Sequence, residues 1–253
     1  MHNEEILFVT TTLYTKWLDK QQEIIKNNFP YSEILIIDGT KNWPKVWFSW
    51  IEYLKKYTGI KWIIHIDEDC FIVNKQEIIK LIQHMDENGI EVCGVPDGFH
   101  QYRGANPIAV NSFFMVINFE KMRSLEQHLN LPALQFSYDA KNGWLNNLGV
   151  RFDQGELSGY KYNFEAAGNG ANYNFEQEPY YYLMWQMKKH GFRFDYLYPF
   201  FDERYKSTNP RLSEDSPDMA IHMWYVRQWN TKMDVWGIPN IDRYKLVENN
   251  LYL

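Results

Sequence analysis

The sequence predicts an α/β fold: a single domain on a mostly parallel central sheet with helices on both faces. Three observations predict it. Apolar runs of strand length alternate with stretches of helical periodicity through the first half of the chain. The run KWIIHIDEDCFIV (61–73) begins apolar on both faces, as a central parallel strand must be, whereas half-exposed strands alternate. The first three strand-like runs each end in polar residues, and in open α/β sheets ligands bind beyond the C-terminal ends of strands.

The elements follow in order. EILFVTT (5–11) reads as a strand, and TKWLDKQQEIIKNNF (15–29) carries apolar residues at helical spacing. EILIID (33–38) is a second strand, with Asp38-Gly39 as a turn signal. Pro44 opens a helix, PKVWFSWIEYLKKY, because proline is tolerated at a first helical position; Gly59 closes it. Trp43, Trp47 and Trp50 fall close to helical spacing and read as packing residues. The third strand is 61–67. A helix over 75–86 and a strand over 90–95 complete β-α-β-α-β-α-β. The second half is less regular. It offers strands at 109–117, 193–198 and 219–224, a short helix at 119–129, and a helix at 176–190 ended by Gly191. Residues 137–175 are rich in Gly, Asn, Tyr and Asp and read as long loops, which in a compact domain are usually functional.

Composition removes several classes. The chain has 253 residues and 45% hydrophobic residues, enough for a globular core. Its formal net charge of −6, with no long basic run, argues against nucleic-acid binding. No apolar run approaches the roughly 20 residues of a membrane span. The start MHNEEILFVTTT is acidic and short of apolar length, so it does not read as a secretory signal. The two cysteines, Cys70 and Cys93, sit in separate apolar runs and make neither a disulfide framework nor a zinc site. A cytoplasmic location is expected, with membrane association through a partner or a lipid acceptor as the alternative. The aromatic fraction of 17% is high, and Tyr and Trp suit ligands that pair flat apolar faces with hydroxyls.

The chemistry concentrates at Asp67-Glu68-Asp69. Three carboxylates ending a buried strand repel one another unless a cation sits among them. On extended chain Asp67 and Asp69 share one side and Glu68 faces the other. Two carboxylates on one side suit a hard divalent cation, Mn²⁺ or Mg²⁺, that keeps places for substrate phosphates.

An apolar third strand ending in Asp-x-Asp resembles the DXD motif of GT-A glycosyltransferases, whose domain has a Rossmann-like sheet. VNSFFMVIN (110–118) resembles the strand lining their sugar pocket, and MAIHMWYVR (219–227) the late strand whose histidine completes the metal shell. The resemblance runs over about 5–227. It implies a nucleotide-binding half, about 1–118, and an acceptor and catalytic half, about 119–253. It implies metal ligands Asp67, Asp69 and His222, with Asp67 acting through water or the donor ribose. Arg227 and Tyr225 would meet the phosphates, Arg being suited to bidentate contact. Thr10, Thr11, Thr12 and Asp38 would hold the nucleoside. Trp224 and Trp229 are candidate sugar or nucleotide contacts. An inverting enzyme also needs a carboxylate base; Glu178 and Glu176, in NFEQEPYYYL, are the candidates, Glu178 first, with Asp97 and Asp153 as others and retaining chemistry open. The implied donor is a nucleotide-sugar, UDP- or GDP-linked, and the acceptor a saccharide, a lipid-linked saccharide or a protein.

Two other readings stand beside this one. A GT-A-like domain that only binds a nucleotide or glycan would keep the same residues. A haloacid-dehalogenase-type phosphatase also has Asp-x-Asp after a strand, but usually the first strand, with Val or a small hydroxyl residue where Phe71 stands. A nucleotidyltransferase needs a Gly-rich loop after the first strand, where TTTLYTKW has no glycine.

Overall fold

The computed structural model describes residues 5–14, 17–40, 56–97, 109–125, 180–204 and 206–224, and near the C-terminus 239, 242, 245 and 247–249. The strands are β1 (Ile6–Thr12), β2 (Glu33–Asp38), β3 (Trp62–Ile66), β4 (Cys70–Ile72), β5 (Val92–Pro96), β6 (Val110–Asn118), β7 (Phe194–Tyr196), β8 (Tyr198–Asp202), β9 (Ser207–Arg211) and β10 (Ala220–Met223). The helices are α1 (Trp17–Asn28), α2 (Lys75–Asn88), α3 (Phe119–Met122) and α4 (Tyr181–Lys189). Most of the expected helix at 44–57, the loops at 137–175 and the start of the helix expected from 176 lie outside the described residues.

Six strands form one sheet in the order β2-β1-β3-β6-β5-β7. β2, β1 and β3 run parallel, β6 is antiparallel to both neighbours, and β7 is parallel to β5. The sheet is therefore mixed, with five strands pointing one way and β6 reversed. The two-faced burial of β1 and β3 follows from the sequence. Ile6 and Phe8 of β1 and Trp62, Ile64 and Ile66 of β3 enter one core, with Ile24 and Ile25 of α1 and Ile78, Leu81 and Met85 of α2. Leu7, Val9 and Ile63, one residue out of phase, enter the other core, with Leu183, Met184 and Met187 of α4. Each such buried side chain contributes about 1.5–3 kcal/mol, so β3 alone offsets a sizeable cost at its acidic end.

Local signals set the helix ends. The Asn74 side chain accepts from the N–H groups of Gln76 (3.0 Å) and Glu77 (3.3 Å), opening α2. Gly89, at φ 63°, closes it in the left-handed region. Of the helix expected at 119–129, the described residues form α3 and then a 3-10 turn over Arg123–Leu125, and 126–129 lie outside them.

A second sheet, β4-β10-β9-β8, was not foreseen from the sequence. β8, β9 and β10 follow one another along the chain, but β4 lies some 150 residues before β10, and its three residues are too few for a local period to announce the pairing. β4 comes from just beyond the acidic triplet and pairs antiparallel with β10, Cys70 opposite His222. Phe71, Ile72, Ile221 and Met223 share the core of β1 and β3, which locks the second sheet against the first. Among the described residues no helix is long and apolar enough to cross a membrane.

Candidate metal centre

The strand order places the site. Connections from β1 pass to β2 on one side, and β3 lies on the other side of β1. At such a switch point the loops part and leave a crevice beyond the C-terminal ends of the strands. Thr12 and Asp38 stand opposite each other at the ends of β1 and β2, and Asp67–Asp69 follow the end of β3. The three polar strand ends read from the sequence are neighbours.

The acidic triplet is a corner between the two sheets. Asp67 N–H makes a last ladder bond to Phe113 O of β6 (3.1 Å), Cys70 N–H closes a turn onto Asp67 O (2.9 Å), and Met223 N–H donates to Asp69 O (3.0 Å). The chain thus leaves one sheet at Asp67 and enters the other at Cys70. The antiparallel pairing with β10 carries His222 to Asp69: Nε2 lies 3.3 Å from Asp69 Oδ1. Asp67, Asp69 and His222 each offer a ligand atom within 4.8 Å of the others, and the residues are 7%, 2% and 2% exposed.

Glu68 faces elsewhere, as alternation predicts. It accepts from Thr12 Oγ1 (2.6 Å) and Leu13 N–H (3.2 Å), and Thr12 Oγ1 accepts from Tyr14 N–H (2.8 Å). These bonds hold the loop after β1, where Tyr14 takes φ 59° and stands exposed beside Leu13. Of the three threonines, Thr10 donates to Gln21 Oε1 (2.9 Å), Thr11 Oγ1 lies 3.4 Å from His65 Nε2, and all are buried. Asp38 is partly exposed and accepts from Thr40 N–H (3.0 Å) and Thr40 Oγ1 (2.5 Å).

Aromatic rings fix the histidine. Phe113 of β6 stacks on His222 at 4.2 Å between centroids, 6° from parallel. Trp224 meets the same imidazole edge-on at 4.3 Å and donates Nε1–H to Thr208 Oγ1 (2.7 Å). Trp224 is buried and packs on His222. Asp97, considered as a base, is also enclosed. It accepts from Asn111 Nδ2 (2.5 Å) and Tyr180 OH (3.0 Å), which satisfies a carboxylate buried at the end of β5.

The donor set fits a divalent cation. Two carboxylates and an imidazole suit Mn²⁺, and the buried His222 Nδ1 makes no hydrogen bond among the described residues. Burial, then the charges of Asp69 and Asp67, push the neighbouring Cys70 thiol well above its ordinary value. Glu176, Glu178, Tyr225, Arg227, Trp229 and Asp153 lie outside the described residues.

Two site residues escaped sequence reading. Gln21 is one: its Nε2 donates to Asp67 O and to Cys70 O (3.0 Å). The available signal was a glutamine within the buried stripe Trp17, Leu18, Ile24 and Ile25. Phe113 is the other, and only the β3–β6 pairing reveals it.

No protein-family model matches the chain, and no curated protein matches it. The fold is similar to that of solved glycosyltransferases. One, involved in the glycosylation of the major capsid of PBCV-1, aligns over 55% of this chain and 74% of its own at 14% identity, with a TM-score of 0.34. The mannosyltransferase PcManGT from Pyrobaculum calidifontis, solved in complex with GDP-Man and Mn²⁺, aligns over 48% and 46% at 10% identity and TM-score 0.35. Mouse xyloside xylosyltransferase 1 aligns over 76% and 84% at 12% identity and TM-score 0.38. At this level the likeness concerns the fold and carries nothing about donor, metal or acceptor.

Proposed function

We propose that the protein is a metal-dependent glycosyltransferase that moves a sugar from a nucleotide-diphosphate sugar donor to an acceptor hydroxyl in glycan synthesis. The observation that carries this reading is the gathering of Asp67, Asp69 and His222 at the switch point of the sheet. Two buried carboxylates and a histidine from a separate strand suit a hard cation that keeps coordination places for phosphate oxygens. The chemistry supplied there by bound Mn²⁺ or Mg²⁺ is Lewis-acid neutralisation of charge on the departing nucleoside diphosphate.

The chain's own residues divide the remaining work. Asp69 and His222 would hold the cation, and Asp67 would act on it through water or meet the donor ribose. Asp38 and the Thr10–Thr12 strand end border the nucleoside. Arg227 and Tyr225, next along the chain from Trp224, are assigned to the phosphates. Glu178, or Glu176, is assigned to take the proton from the acceptor hydroxyl, and raising the nucleophilicity of that oxygen is the whole of its task. In this assignment residues up to about 118 serve the donor and later ones the acceptor. The donor is taken as UDP- or GDP-linked, and the acceptor as a saccharide, a lipid-linked saccharide or a protein.

The test is calorimetric binding of UDP and GDP, each with Mn²⁺ and with EDTA, on wild type and Asp69→Asn. Binding of one diphosphate that needs both Mn²⁺ and Asp69 is expected. Absence of binding for both in the presence of Mn²⁺ would end the UDP- or GDP-sugar reading. Metal-dependent binding with no transfer from any sugar nucleotide would favour a nucleotide-binding protein without catalysis.

A further inference from the structure

We propose that Gln21 of α1 is a positioning residue for the cation centre, holding the acidic turn in the shape that keeps Asp67 and Asp69 within reach of His222. The inference rests on the cation reading above.

Gln21 is fully buried, on the helix face that otherwise carries Trp17, Leu18, Ile24 and Ile25. A buried amide persists at such a place when its hydrogen bonds are made. Here both ends are engaged. Nε2 donates to Asp67 O and to Cys70 O (3.0 Å), and Oε1 accepts from Thr10 Oγ1 (2.9 Å). The two carbonyls belong to the first and last residues of the turn that carries Asp69. The same turn is closed by Cys70 N–H on Asp67 O (2.9 Å).

One side chain therefore ties both ends of the segment, and Thr10 ties that side chain to β1. The consequence reaches His222 through the backbone. Cys70 stands opposite His222 in the β4–β10 ladder, and Asp69 O takes the N–H of Met223. A turn that opens at Cys70 shifts this register and separates Asp69 from the imidazole. Gln21 sets that separation from a separate element, α1. Groups that orient metal ligands in this way typically change metal affinity by roughly 10- to 100-fold when removed.

The test uses Gln21→Met, which keeps the volume and removes all three hydrogen bonds. Thr10→Val, which removes only the bond to Oε1, is its graded partner. Two readouts are taken: Mn²⁺ titration followed by electron paramagnetic resonance of the free ion, and amide hydrogen exchange at Cys70 in metal-free protein. Gln21→Met is expected to weaken Mn²⁺ binding at least about tenfold and to speed exchange at Cys70. Thr10→Val shifts both in the same direction by less. Where Gln21→Met does not yield folded protein, Thr10→Val carries the test alone with the same two readouts and the same criteria.

Faster exchange with Mn²⁺ affinity within about twofold of wild type overturns the proposal, since the residue is then only structural. Unchanged exchange and unchanged affinity overturn it as well. Wild-type protein that takes up no Mn²⁺ ends the cation reading instead, and exchange at Cys70 then decides by itself whether Gln21 holds the turn.

Discussion

At the residue scale, the acidic triplet divides its labour. Asp67 and Asp69 turn towards His222, while Glu68 turns to the loop after β1 and accepts from Thr12 Oγ1 and Leu13 N–H. Three neighbouring carboxylates in one buried corner would repel one another, and this division separates one from the other two. Glu68→Gln keeps one acceptor oxygen and loses the charge, so neither bond remains charge-assisted. The expected cost is about 1.5–3 kcal/mol, read as a lowered midpoint in urea with an unchanged slope. A midpoint unaltered by Glu68→Gln would show that the loop after β1 is held by something other than this carboxylate.

At the element scale, β5 and β6 approach closely at Gly94. A Cβ on Gly94 would lie 2.6 Å from Phe114 O and 3.2 Å from Met115 Cα, both backbone atoms that cannot swing aside. The register shift between Gly94 and Pro96 sits at the same place. Gly94→Ala should therefore destabilise by about 1–3 kcal/mol through overpacking. Because β6 also carries Phe113 against His222, the same variant should weaken Mn²⁺ binding. Thermal unfolding alongside an Mn²⁺ titration checks both effects, and a variant as stable as wild type would mean that the two strands move apart freely.

At the scale of the whole molecule, the site lies on the seam between two sheets that share one core. Phe71, Ile221 and Met223 of the small sheet pack in the cluster that holds Phe8 and Ile64 of the large one. A cation bound at Asp67, Asp69 and His222 would clamp that seam and stabilise only the folded chain. At a hundredfold excess over its dissociation constant it should add about 2.7 kcal/mol. For a chain of this size that is a rise of roughly 5–10 °C in Tm. Differential scanning calorimetry with Mn²⁺ and with EDTA measures it, and the rise should vanish in Asp69→Asn. An equal rise in Asp69→Asn would place the bound ion elsewhere on this acidic chain.

The sequence by itself determined the α/β class, the strands of the large sheet and the acidic end of β3, because these are written in local periodicity and in turn residues. The two-faced apolar run of β3 reads as a central strand, and it stands between β1 and β6. It also singled out His222 as the partner of Asp67 and Asp69, through a resemblance of motifs separated by some 150 residues. Only the tertiary structure decided how that histidine arrives: β4 turns out of the first sheet and pairs with β10, a contact between distant segments that no local period encodes. The reversal of β6, the stacking of Phe113 on His222 and the clamp of Gln21 on the turn were likewise settled by tertiary packing. Each depends on which faces meet, and a chain read one residue at a time does not carry that.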